Sequence, residues 1–186
     1  SNDWNNFGTL HLNFKEMLSW ASEGKEQFVW SPHPSLIPFV ESGEALLSHQ
    51  DLMDWRKQWD ALPNTATLVE PSYERYLAAA EVVVTDGISL LIEAQVAEKP
   101  VVFIERPDHL PFNDVGRMVK QGVHSVRSVE QAQDSVRALV ADQDPLAERQ
   151  RDIVHSLLGE PGAAGRILDA IREQARLEGW EPSIIA

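Results

Sequence analysis

The sequence contains no cysteine, which excludes disulfides and zinc sites built on thiolates. It also contains no apolar run that approaches the ~20 residues of a membrane-spanning helix, and no segment with the character of a signal peptide. We therefore expect no direct membrane span and a cytoplasmic location. Carboxylates such as Asp86 and Asp108 are too few to indicate a metal site. We expect neither a metal ion nor a cofactor.

Positive charge is scarce as well, because 16 lysines and arginines stand against 29 aspartates and glutamates, for a net charge of −13. A surface that binds nucleic acid needs a stripe of lysine and arginine, so we expect no nucleic-acid partner. Anionic membrane leaflets also attract basic segments. We therefore expect any peripheral contact with the inner face of the plasma membrane to come through another part of the full-length protein.

Length and composition indicate one domain over residues 1–186, since 43% hydrophobic residues are enough to build one core. Short apolar runs predict strands at 28–30, 67–69, 82–85, 101–104 and 123–126, and stripes at helical spacing lie at 14–21, 52–59, 73–80, 90–97, 132–140, 153–157 and 167–175. This alternation predicts an α/β fold, a Rossmann-like parallel sheet flanked by helices. Trp55 and Trp59 lie one helical turn apart, which favours packing over a sugar-stacking site.

The junction at residues 82–93 is the most informative segment of the chain. Residues 82–84 predict a buried strand, Asp86 and Gly87 interrupt it, and an amphipathic helix follows. The first N–H groups of a helix lack internal partners and carry the positive end of its dipole, so a phosphate near Gly87 and Ser89 would satisfy them. The alternative is an ordinary strand-to-helix turn in which Asp86 or Ser89 caps the helix.

A second candidate is His33, which follows the predicted strand at 28–30 between two prolines. Each proline biases the preceding residue toward an extended backbone, so His33 is expected on stiff chain at a strand's end. In open α/β sheets the carboxyl ends of the strands face the ligand crevice, where a histidine can reach a bound phosphate. The alternative is a loop histidine that is bonded to nearby backbone.

A third candidate segment, residues 105–109, follows the predicted strand at 101–104, again at a carboxyl end. Arg106 can clamp a pyrophosphate through two parallel hydrogen bonds, and His109 can donate to the same group. The alternative is a charged surface loop in which Arg106 pairs with Asp108.

Four segments, taken in their order and spacing, resemble the family of CDP-glycerol glycerophosphotransferases, the teichoic-acid polymerases and primases. They are SPHP at 31–34, TDGISLLIE at 85–93, EKPVVFI at 98–104 and GAAGRILDAI at 162–171. The resemblance extends from about Trp4 to Arg176. It implies a glycosyltransferase B type fold, of which this chain corresponds only to the C-terminal, nucleotide-binding domain, without the N-terminal acceptor-binding domain.

The resemblance implies a transferase that moves glycerol phosphate from CDP-glycerol to a cell-wall polymer or lipid-linked acceptor. An acceptor hydroxyl attacks phosphorus and CMP departs, with the general base expected on the N-terminal domain. His33 is then a catalytic residue that also contacts phosphate. The other residues that the resemblance and the strand ends place around the nucleotide are Thr85, Asp86, Gly87, Ser89, Glu93 and Arg106. Glu93 would accept hydrogen bonds from the ribose, although a solvent-facing glutamate is the alternative.

One departure from the family pattern concerns the phosphate turn. The family shows Ser/Thr-Asp, any residue and then a pair of serines, whereas here Gly87, Ile88 and Ser89 follow Asp86, so one hydroxyl is missing. Contact through Ser89 and the backbone survives the change, but the donor substrate is left open. Two alternatives therefore remain: a nucleotide-sugar glycosyltransferase or UDP-sugar epimerase domain of the same fold, and a non-catalytic α/β binding module.

Overall fold

The computed structural model describes residues 8–69, 72–108, 110–142, 144–159 and 162–179. Helices and strands alternate along these ranges. In chain order they are α1 Leu10–Ser22, β1 Phe28–Trp30, α2 Leu36–Glu41, α3 His49–Asp60, β2 Thr65–Thr67, α4 Glu74–Ala79, β3 Val83–Thr85, α5 Ile88–Val96, β4 Val101–Ile104, α6 Asp114–Lys120, β5 His124–Val126, α7 Val129–Ala141, α8 Ala147–Leu158 and α9 Ala163–Leu177. Across the described ranges, none of the helices combines the length and the apolar character that a bilayer crossing requires.

All strand pairs are parallel, which confirms the predicted α/β, Rossmann-like class. The strands form two sheets, however, where the sequence predicts one. β1 pairs with β2, and β3, β4 and β5 form a second sheet in that order. Side chains join the two sheets, because Phe28 on β1 packs against the apolar clusters of both.

Strand β4 is the centre of the three-stranded sheet and is buried on both faces. Its side chains alternate, so Val101 and Phe103 face one layer of helices while Val102 and Ile104 face the other. The first cluster gathers residues of α5, α6 and α8, among them Leu91, Ala94, Val119 and Ile153. The second gathers residues of α1 and α7, among them Trp20, Val129, Ala132 and Val136. This double burial explains why the segment reads as a continuous apolar run.

Helix α1 packs against both sheets. Trp20 belongs to the cluster beneath the three-stranded sheet, and Ala21 belongs to a third cluster with α2 and α3. Trp55 and Trp59 are buried there, stacked with ring centroids 5.2 Å apart. The expectation that they pack within the protein is therefore confirmed.

Two helices were not expected from the sequence. α6 lies in a region that reads as a loop because of Pro107, Pro111 and Gly116, and it begins where the Asn113 side chain accepts the Gly116 N–H at 2.8 Å. α2 follows the proline-rich segment and tolerates Pro38 because that residue lies in its first turn. In both segments the prolines outweigh the few apolar residues when the sequence alone is considered.

Gly122 is predicted to be intolerant of a side chain. Gln95 is buried and donates to the carbonyls of Leu91 and Val119 at 3.0 Å each, which ties α5 to α6. A Cβ at Gly122 would lie 2.2 Å from Gln95 Oε1. Gly122→Ala should therefore lower the free energy of unfolding by about 1 to 3 kcal/mol, measured by urea denaturation. The control is Gly165→Ala on α9, which should keep or raise stability. Apart from the adjoining residues and the backbone of α9 itself, no atom of the described residues would lie within 4 Å of the added Cβ.

Candidate functional site

The candidate site lies where β3 and β4 end and α5 begins. Thr85 is the last residue of β3, and its Oγ1 accepts the Gly87 N–H at 3.0 Å. Gly87 is the N-cap of α5, and within the described residues no side chain caps that helix. The interpretation of Asp86 or Ser89 as a capping residue is therefore wrong. The first turn of α5 begins with Ile88 and Ser89. Its backbone N–H groups lack intrahelical partners and lie at the positive end of the helix dipole.

Gly87 does not need to be glycine for the fold. Its backbone has φ −95° and ψ 136°, an extended conformation that any residue adopts. A Cβ there would meet only the Thr85 hydroxyl, at 3.6 Å, which is ordinary van der Waals contact. The absence of a side chain leaves the approach to the first turn of α5 open.

Asp86 is committed to a structural contact with the start of α1. Its Oδ2 accepts the backbone N–H of Thr9 at 2.5 Å and the Thr9 hydroxyl at 3.0 Å. Thr9 is buried and is the N-cap residue of α1, so the carboxylate satisfies an N–H at the positive end of that helix. Asp86 thereby joins α1 to the end of β3.

Arg106 is held in the same way at the end of β4. Its Nε and Nη2 donate to the two oxygens of Asp108 at 3.0 and 2.9 Å, and Nη1 donates to the Gly8 carbonyl at 3.2 Å. The pairing with Asp108 confirms one of the two interpretations of this segment. The arginine is not a surface residue, however, because its side chain is only 6% exposed. The guanidinium lowers the pKa of Asp108, chiefly through the side-chain hydrogen bonds.

The contacts of Gly8 and Thr9 bring a further histidine to this edge. His11 is the second residue of α1 and is half-buried. Burial lowers the pKa of His11 below 6.5, Arg106 lowers it further, and Asp108 and Asp86 oppose the shift. Sequence reasoning missed His11, Gly8 and Thr9; the threonine before an apolar helix signals an N-cap, but no local pattern links it to Asp86.

The structure places the other predicted site residues apart from this edge. His33 follows β1 in the two-stranded sheet and is exposed, and its Nδ1 accepts the Ser35 N–H at 3.1 Å. Glu93 lies on α5 and is exposed, as the alternative of a solvent-facing glutamate predicted, and it accepts a hydrogen bond from the Tyr73 hydroxyl. That bond raises the pKa of Tyr73. His109 lies outside the described residues.

The described residues contain no group of three or more histidine, aspartate or glutamate side chains placed to hold a metal ion. Thr85, Asp86, Gly87, Ser89 and Arg106 do come together, at the carboxyl ends of adjacent parallel strands. This edge presents the backbone N–H groups of the first turn of α5 and the Ser89 hydroxyl, which are groups that can donate to an anion. The guanidinium of Arg106 lies at the same edge but already donates to Asp108.

No protein-family model matches the chain, and no curated protein is significantly similar to it.

Asp86 is predicted to be important for stability. Asp86→Ala removes two hydrogen bonds to a charged group and leaves the N–H of Thr9 without its acceptor. The free energy of unfolding should fall by about 1.5 to 3 kcal/mol in urea denaturation. Asp134→Ala, the same change at an exposed position on α7, should leave stability within about 0.5 kcal/mol of the parent. Equal stability of the two variants would contradict the assigned contact.

Proposed function

We propose that this chain is the donor-nucleotide-binding domain of a transferase that resembles CDP-glycerol glycerophosphotransferases. The observation that carries the proposal is the uncapped N-terminus of α5 at the carboxyl end of β3, with glycine at its N-cap. Ligands of open α/β sheets bind at the carboxyl ends of the strands, and a helix N-terminus there favours phosphate. The donor is a nucleotide-activated group, CDP-glycerol or a nucleotide sugar.

The diphosphate of the donor would accept from the backbone N–H groups of Ile88 and Ser89 and from the Ser89 hydroxyl. Thr85 supports this arrangement indirectly, because its Oγ1 fixes the Gly87 N–H and orients the turn. Oriented donors of this kind stabilise negative charge without reorganising during a reaction. That property suits a step in which a phosphate becomes the leaving group.

Arg106 contributes positive charge to the same edge. Its Nε and Nη2 already donate to Asp108, so a pyrophosphate clamp by these atoms requires Asp108 to move away. The side chain of Asp108 is 61% exposed. We propose that Arg106 acts first by charge and by holding Gly8 in place.

His33 supplies a further hydrogen-bond donor in this proposal. Because Nδ1 accepts the Ser35 N–H, the proton of the uncharged ring lies on Nε2. Nε2–H can then donate to the donor's phosphate when the His33 loop and the edge of the three-stranded sheet meet the same ligand. Glu93 accepts from the ribose hydroxyls in the same proposal, which requires the Tyr73 hydroxyl to share or release it.

The reaction that we propose for the full-length enzyme is attack of an acceptor hydroxyl oxygen on the phosphorus that bears glycerol. The new P–O bond forms as the bond to CMP breaks, and the hydroxyl proton passes to a general base on the N-terminal acceptor-binding domain. The acceptor is a polymer or a lipid-linked precursor bound by that domain. The role of the present chain is to bind the nucleotide and to stabilise the charge that collects on the departing phosphate.

A thermal-shift and calorimetric screen with CMP, CDP-glycerol, UDP and UDP-glucose tests the proposal. A ligand at ~100 times its dissociation constant should stabilise the fold by about 2.7 kcal/mol. Preference for cytidine nucleotides supports the glycerophosphotransferase, and preference for uridine nucleotides supports a nucleotide-sugar enzyme. Binding of none of them would contradict both and leave a non-catalytic binding module.

Gly87→Val is predicted to separate binding from folding. The side chain fits the backbone, so the variant should fold, but it would occupy the approach to the first turn of α5 and weaken nucleotide binding at least tenfold. Gly165→Val, the same change on exposed α9, should bind as the parent does. If Gly87→Val folds and binds normally, the anion site lies elsewhere.

A further inference from the structure

Helix α9 presents an apolar stripe that the described part of the chain leaves exposed. Ile167 and Ile171 lie one turn apart and are each 59% exposed, and Leu168 beside them is 51% exposed. Among the described residues of α9, none is buried. A stripe of apolar residues at helical spacing is the face that a helix packs against a core or a partner.

The stripe has arginines along one flank. At about 100° per residue, Arg172 and Arg176 lie on one side of it, and Glu178 lies on the other side. The two arginines pair within the helix, with Asp169 and Glu173, at 3.2 Å each. These ion pairs are exposed and contribute little, so the arginines can exchange them for partners on another surface.

The groove between α1 and α3, with a volume of about 490 Å³, complements this face of α9. Its lining combines apolar and charged side chains: Phe14, Leu18, Trp55, Lys15, Asp51 and Asp54. Asp51 and Asp54 lie one turn apart on α3, whereas Lys15 lies on α1. Arg172 and Arg176, also one turn apart, therefore match the acidic wall, and Glu178 matches the basic one.

The helix that fits this groove belongs to a second copy of the chain. Helix α8 packs on one face of β4 through Ile153, and α1 packs on the other face through Trp20. Helices on opposite faces of a sheet have axes about 20 Å apart. The four residues at 159–162 that join α8 to α9 extend at most about 18 Å, so α9 cannot lay its whole stripe in the groove of its own chain.

We propose that α9 of one copy docks in the groove between α1 and α3 of a second copy, and that the two copies exchange this helix reciprocally. The exchange forms a two-fold dimer in which the same contact occurs twice and no stripe or groove stays open. Exchange in one direction only would leave one of each free to add further copies. The inference does not depend on nucleotide binding.

Sedimentation velocity of the chain over a range of concentrations tests the dimer. The variants are Ile171→Glu in the stripe and Asp54→Arg in the groove. Each has a control that makes the same kind of change outside the contact: Leu177→Glu on the opposite face of α9, and Glu16→Arg on the side of α1 away from the groove. All four positions are exposed, so the variants should keep the circular dichroism spectrum of the parent.

We expect a monomer–dimer equilibrium for the parent and both controls, between a species of 20.9 kDa and one of twice that mass. Ile171→Glu and Asp54→Arg should each raise the dimer dissociation constant at least about tenfold. The first places a charge against the apolar lining of the groove, and the second places like charges against Arg172 and Arg176.

A mixing experiment identifies the occupant of the groove. Ile171→Glu keeps its groove, and Asp54→Arg keeps its α9. Unlabelled Asp54→Arg added to isotope-labelled Ile171→Glu should therefore shift the resonance of the Trp55 indole N–H, which donates to the Phe14 carbonyl beside the groove, whereas added unlabelled Ile171→Glu should not.

Three results would overturn the inference and leave the proposed function untouched. They are a parent that stays monomeric at every concentration, a dimer that Asp54→Arg leaves intact, and a Trp55 resonance that does not respond to the Asp54→Arg chain. A dimer that Ile171→Glu alone disrupts would indicate that α9 pairs with α9 of the second copy instead.

Discussion

The attachment of α1 to the carboxyl edge of the three-stranded sheet is the contact on which the candidate site depends. Asp86 accepts hydrogen bonds from the N–H and the hydroxyl of Thr9, and Arg106 donates a hydrogen bond to the carbonyl of Gly8. These bonds span 77 and 98 positions of sequence, so they fix the start of α1 against the ends of β3 and β4. The same helix packs beneath both sheets through Trp20 and its neighbours. A single helix therefore connects the two apolar cores with the edge at which a ligand would bind.

This attachment uses charged groups that a phosphate site would otherwise employ. Arg106 is buried and forms an ion pair with Asp108, and Asp86 accepts a hydrogen bond from the N–H of Thr9 at the start of α1. Removing one partner of a buried, hydrogen-bonded charge leaves the other without compensation, so these residues are constrained by folding as well as by any ligand. What remains open toward the ligand is backbone: the first turn of α5, reached past a glycine that the fold does not require.

Local patterns were enough to predict much of the fold. The apolar run of β4, the break at Asp86 and Gly87, and the stripe of α7 each lie within one window of sequence, and the structure contains all three elements. Helices α2 and α6 were not predicted, because the prolines around α2 and the Pro107, Pro111 and Gly116 of the α6 region are typical of loops. The separation of the strands into two sheets also has no local signature. The hydrogen bond between Thr9 and Asp86 joins residues that are far apart in the sequence, so no local pattern predicts it. The position of His11, two residues after Thr9, could not be predicted for the same reason. Arg106 was correctly considered as a partner of Asp108, but its burial results from Gly8, which lies far away in the sequence.

We propose that a nucleotide diphosphate binds at the first turn of α5. Amide chemical shifts of the isotope-labelled protein, recorded during titration with CDP, test it most directly because each backbone N–H reports on its own hydrogen bond. We predict that the largest changes fall on Ile88, Ser89 and Leu90, with smaller ones at Thr85 and Arg106. Changes confined to another surface, such as the groove between α1 and α3 that Phe14 and Trp55 line, would contradict the claim, as would the absence of any change.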